Sequence, residues 1–101
     1  MIIVVVRHRV RPDRYEQAKS RIAGNTHRMM QQPGIVFRHT GDAEGGSEIV
    51  TVTGWETDAH RAAWDALKKS SPPPGDMSDV YTGFEVIDID VFDQRSAPIP
   101  A

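Results

Sequence analysis

The 101-residue chain contains no cysteine. That absence excludes disulfides, thiolate catalysis, iron–sulfur clusters and cysteine-ligated zinc. It also lacks a long apolar run: the longest, Ile2 to Val6, is far short of the ~20 residues a membrane-spanning helix needs. No cationic start with a small-residue cleavage site follows that run, so no membrane partner is expected and the reducing cytoplasm is the expected location. Eight glycines and seven prolines are too few for a collagenous or low-complexity chain. With 39% apolar and 26% charged residues the composition is that of an ordinary globular protein. At roughly 150 residues per domain there is room for one domain, read as 1–94, with 95–101 as a loose tail.

The net charge of −2 conceals an uneven division. Residues 1–40 carry eight Arg or Lys against two Asp or Glu, and residues 41–101 carry four against twelve. A nucleic-acid surface would gather the basic residues into one stripe with interleaved aromatics. Here Arg7 and Arg9 alternate with Val6 and His8, while Arg11, Arg14, Lys19, Arg21 and Arg28 circle a helix. No nucleic-acid partner is expected; the two halves are expected to complement each other.

Residues 2–10, rich in β-branched side chains, read as a strand with Ile2, Val4, Val6, His8 and Val10 on one face. Pro12 and Asp13 suit a helix start, and Tyr15, Ala18, Ile22 and Met29 form the seam of an amphipathic helix to Gln32. Asn25 and Thr26 interrupt that seam where apolar residues belong. Polar groups on a core-facing stripe must be hydrogen-bonded or wet, so the break points either to a cavity edge or to a helix frayed or bent near Gly24. Pro33-Gly34 ends the helix, 35–40 reads as a second strand, 41–47 as a glycine-rich turn and 48–56 as a third strand. Thr57-Asp58 caps a second helix running to Lys68-Lys69, whose expected face is Ala59, Ala62, Ala63, Ala66 and Leu67, interrupted by Trp64. The proline-rich stretch 70–80 reads as a surface loop, and Tyr81 to Phe92 alternates as a fourth strand.

The order β-α-β-β-α-β is that of the α+β ferredoxin-like unit, a four-stranded antiparallel sheet with two helices on one face. The other face would leave a large apolar patch in water, which a second copy placed sheet to sheet would cover. The expected assembly is a homodimer. With the elements in this order, the strand Ile2–Val10, the Pro33-Gly34-Ile35 turn and above all Gly54-Trp55-Glu56-Thr57-Asp58-Ala59-His60-Arg61-Ala62-Ala63-Trp64 resemble the antibiotic biosynthesis monooxygenase family of dimeric α/β-barrel proteins. The resemblance covers roughly residues 2–92.

The resemblance implies a pocket between helices and sheet in each protomer, used by cofactor-free oxygenases of polycyclic phenols or quinone precursors and by haem-degrading members. Trp64 falls where the haem-degrading branch carries a pocket tryptophan. That branch's first-strand asparagine corresponds to Val6, and its axial histidine, expected about ten residues after the tryptophan, is missing because 70–80 contains no histidine. The expected activity is therefore oxygenation of an aromatic or polycyclic small molecule without metal, flavin or other cofactor, with a non-catalytic ligand-binding or polyketide-cyclase-like module as the alternative. Such chemistry needs an apolar pocket, a base and donors for a developing oxyanion. His8 is the expected base and Trp64 the expected flat surface against the substrate. Val6, Ile22, Asn25 and Thr26 are expected to line the pocket, and Arg38 to stabilise an anion. His27 and His60 lie among polar neighbours and read as surface residues, and His39 as an interface residue. No histidine pair sits at i, i+4 with a carboxylate partner, so no metal site is expected.

Overall fold

A computed structural model describes residues 1–71 and 79–95. The loop reading for 72–78 and the tail reading for 96–101 lie outside the described residues. The strands are β1 (Ile2–Val10), β2 (Ile35–Ala43), β3 (Glu48–Trp55) and β4 (Tyr81–Asp90), and the helices are α1 (Tyr15–Met29) and α2 (Asp58–Ser70). They form one antiparallel sheet in the order β2-β3-β1-β4, the ferredoxin-like arrangement expected from the element order.

Boundaries moved where turn chemistry overrode periodicity. Pro12–Arg14 form a single 3-10 turn, so α1 starts at Tyr15. It ends at Met29 rather than Gln32, because Pro33 disfavours helical geometry in its predecessor. β2 continues through Gly41 and Asp42 to Ala43, which pairs with Glu48. The reversal is confined to 44–47, where Glu44, Gly45 and Gly46 take φ of 53°, 67° and 90°. Gly34 has φ 83°, and a Cβ there would lie 2.1 Å from Cγ of His60. Its carbonyl accepts from the Glu56 N–H at 2.8 Å, so the Pro33-Gly34 turn sits directly against the start of α2. Thr57 caps α2 as expected, its Oγ1 accepting from the His60 N–H.

The helices cover the face of the sheet that carries Ile2, Val4, Val6, His8 and Val10, but the core there is divided. Val10, Ala18, Ile22, Ile49, Val80 and Tyr81 pack at one end, and Ile2, Val4, Met29, Trp55 and Trp64 at the other. On α1, Ile22 belongs to the first cluster and Met29 to the second, and the polar pair Asn25-Thr26 falls between them. The alanine face expected for α2 is overturned: Ala59, Ala62, Ala63 and Ala66 are exposed, and Trp64 is the buried residue. Trp64 carries far more apolar area than any alanine, so it sets the rotation of the helix. Leu67, expected on that face, is half-buried against the Trp64 cluster, and His60, Arg61 and Lys68, the other helical neighbours of Trp64, are half-buried in place of the alanines.

On the opposite face Ile87 and Ile89 are each 43% exposed. Phe37 lies over Gly54 there, where a Cβ would come within 2.4 Å of its ring. The charge division resolves partly within the sheet: Arg7 reaches Glu48 at 2.7 Å and Glu85 at 3.7 Å, and Arg9 reaches Glu48 at 3.5 Å.

Candidate active site

Between the two core clusters, on the helix side of the sheet, lies a cavity of about 390 Å³. This is within the size range of small-molecule sites. Antiparallel register assembles its floor, where Phe84 pairs with His8, Val86, Val6 and Thr51 form the next cross-strand row, and Val4, Thr53 and Arg38 the third. Asn25 and Met29 of α1 and Arg61, Trp64, Asp65 and Lys68 of α2 close the other side.

His8 is half-buried between Tyr81 and Phe84, with ring centroids 5.6 and 5.4 Å away. Its Nδ1 lies 2.9 Å from the carbonyl oxygen of Ile49. A carbonyl only accepts, so Nδ1 is assigned the proton and the lone pair sits on Nε2. Burial pushes the imidazole below its ordinary value; the Ile49 bond opposes this, and the charges of Arg38 and Lys68 add to it. Burial thus favours the uncharged ring.

Arg38 rises from β2, donating from Nε to Thr26 Oγ1 at 3.1 Å and from Nη1 to Thr53 Oγ1 at 2.7 Å. Burial lowers its pKa, yet a guanidinium stays charged. Among the described residues no carboxylate lies within ion-pair distance of it.

Trp64, 3% exposed, stacks on Trp55 at 6.4 Å and 30°, with the Arg28 guanidinium and Lys68 ammonium 5.6 and 5.8 Å from its ring. Its Nε1 and the Oγ1 of Thr51 are buried without a hydrogen-bond partner among the described residues. Both residues line the cavity. A buried donor left unpaired costs about 1–3 kcal/mol unless a ligand satisfies it.

The structure brings His8, Val6, Asn25, Arg38 and Trp64 to one cavity. Thr26 stands behind the wall and holds Arg38. Ile22 is elsewhere: one turn before Asn25, it packs on Val10, Ala18 and Ile49 in the first cluster. Sequence reasoning missed Thr51, Thr53, Phe84, Val86, Arg61, Asp65 and Lys68. The strand residues were recoverable by carrying the parity of His8 across the register, and those on α2 by counting helical neighbours from Trp64. Arg61 binds Asp65 at 2.8 Å and Asp88 at 2.9 Å, tying α2 to β4. Among the described residues no cluster of histidine and carboxylate ligands could hold a metal ion. The expected axial position for haem, within 70–80, has no histidine to offer iron.

No protein-family model matches the sequence, and no curated protein matches it. Solved structures do. SnoaB, a cofactor-independent oxygenase from Streptomyces nogalater, superposes with a TM-score of 0.74 at 15% identity, over 92% of this chain and 94% of that one. MhuD, a haem degrader from Mycobacterium tuberculosis solved with two haems in its active site, gives 0.72 at 19% identity, over 95% and 100%. A Nitrosomonas europaea protein described as a putative antibiotic biosynthesis monooxygenase gives 0.75 at 14%, over 92% and 100%. The chain therefore has the α+β ferredoxin-like fold of the antibiotic biosynthesis monooxygenase type. At these identities the likeness is one of fold.

Proposed function

We propose that this protein is a cofactor-free oxygenase of hydroxylated aromatic or polycyclic molecules. The observation that carries the reading is the placement of His8, which lines the cavity with its Nδ1 2.9 Å from the carbonyl oxygen of Ile49, so that the neutral ring has its lone pair on Nε2. The substrate class that suits it is a fused-ring phenol with an activated ring methylene. Nε2 takes a proton from it, and the resulting anion passes an electron to O₂. Recombination forms a C–O bond and a peroxide, which regains the proton from His8. Loss of water then leaves a ring carbonyl. The methylene supplies all four electrons, one oxygen atom enters the product and the other leaves as water, so no external reductant is needed. Thr51 Oγ1 and Trp64 Nε1 supply donors for the developing oxyanion, and the Trp64 ring lies against the substrate.

Oxygen-electrode assays with anthrone-like and dihydroxynaphthalene substrates test this reading. The expected result is uptake of one O₂ per carbonyl formed, without added metal, flavin or haem. Tight binding without uptake would instead identify a ligand-binding module.

The protein acts as a homodimer in the cytoplasm. The supporting observations are the half-exposed Ile87 and Ile89 and the adjoining mixed-charge group of Arg7, Arg9, Glu48 and Glu85 on one sheet face, a surface complementary to a second copy of itself. Sedimentation equilibrium should return twice the 11.2 kDa chain mass. A monomer at assay concentration would refute the assembly.

A further inference from the structure

We infer that the cavity selects ligands carrying a carboxylate group and that Arg38 is the residue that recognises it. The inference rests on the reading of the cavity as an aromatic small-molecule site, and it does not depend on oxygenation. A guanidinium has five N–H donors in a planar fork. Two are engaged by the Thr26 and Thr53 hydroxyls, which set the orientation of the head group. Among the described residues the other three have no hydrogen-bond partner, and the head group has no anionic one.

A half-buried cation without a counter-ion is costly, and a neutral aromatic ligand would make it costlier by displacing the water that solvates it. A bound carboxylate reverses this, because its two oxygens match two parallel N–H groups of the fork. The rest of the wall does not compensate Arg38 internally. Arg61 and Lys68 are cationic as well, and Asp65, the carboxylate on the wall, is already shared between them at 2.8 and 3.7 Å.

Position separates this anion from the reacting group. The β3 partners of His8 and Arg38 are Ile49 and Thr53, four residues and so about 13 Å apart along the strand. An elongated ring system can thus present its ionisable hydroxyl to His8 and its carboxylate to Arg38. A permanent carboxylate suits the Arg38 end better than a second phenol, since it is ionised at all working pH values.

The test is an anaerobic titration of the Trp fluorescence with a matched pair of ligands, a hydroxyanthraquinone carboxylic acid and its primary carboxamide. The wild-type protein should bind the acid about 10- to 100-fold more tightly than the amide. Arg38→Gln should abolish that preference, the acid losing its advantage over the amide, and Arg38→Lys should retain part of it. Far-ultraviolet circular dichroism confirms that each variant is folded. Equal binding of acid and amide by the wild type, or an unchanged preference in Arg38→Gln, would overturn the inference and leave the aromatic-site reading standing. Failure of both ligands to bind would overturn both.

Discussion

Replacing His8 with alanine should lower kcat for oxygen uptake by about 10²- to 10⁴-fold, the usual contribution of a positioned general base. The variant keeps the strand, and a smaller residue at a half-buried position leaves the cavity open, so substrate affinity should change far less than kcat. Added imidazole should restore part of the rate. A loss of less than about tenfold would remove His8 from the chemistry. The same residue predicts the pH profile. Its pKa is held below the ordinary 6.5, chiefly by burial. The base is therefore active at neutrality, and kcat/KM should be flat around pH 7 and fall only as the pH drops through the lowered value. Stability follows with the same sign, because the unfolded chain binds the proton more readily than the folded one. The contribution of His8 is complete above about pH 6.5 and is lost as pH falls through the folded pKa. Urea midpoints measured from about pH 7 to about pH 5 should decline less steeply in His8→Gln than in the wild type. Parallel curves for the two proteins would contradict the burial argument.

Trp55→Ala should cost about 3–5 kcal/mol of folding stability. Trp55 is 1% exposed and stacks on Trp64, joining β3 to α2 within the cluster of Ile2, Val4 and Met29. The gap left by an indole at a strand end cannot be refilled by neighbours fixed in the sheet. Domains of this size hold roughly 5–15 kcal/mol in total, so the loss is a large share of it. At about 4–8 °C per kcal/mol, the thermal midpoint followed by circular dichroism should fall by roughly 12 °C or more. A fall of less than about 5 °C would mean that the cluster repacks around the space, and that the cavity beside Trp64 is less rigid than its lining suggests.

Much of the fold was legible because its signals are local. β-Branched residues mark β1, Pro33-Gly34 marks the end of α1, and Thr57 marks the start of α2. The polar break at Asn25-Thr26 was legible for the same reason, since a 3.6-residue period names the face that should be apolar. The period does not say where along that face a residue sits. Ile22 and Asn25 share a stripe, yet one packs in a core cluster and the other borders the cavity. On α2 the alanines looked like the inward face because small apolar residues recur there at helical spacing, but one tryptophan outweighed them all. The half-buried Arg61 and Lys68 followed from that rotation.

By itself the sequence determined the element order, the parity that turns His8 and Val6 toward the helices, and the absence of thiol chemistry. Only the tertiary structure decided that Arg38 of β2, His8 of β1 and Trp64 of α2 meet at one cavity, that Thr26 and Thr53 aim the guanidinium, and that Thr51 and Trp64 have donors there with no partner among the described residues. The physical reason is that alternation and helical period are properties of neighbours in the chain. Cross-strand register and helix docking are set by hydrogen bonds and packing between residues such as His8 and Ile49, 41 positions apart.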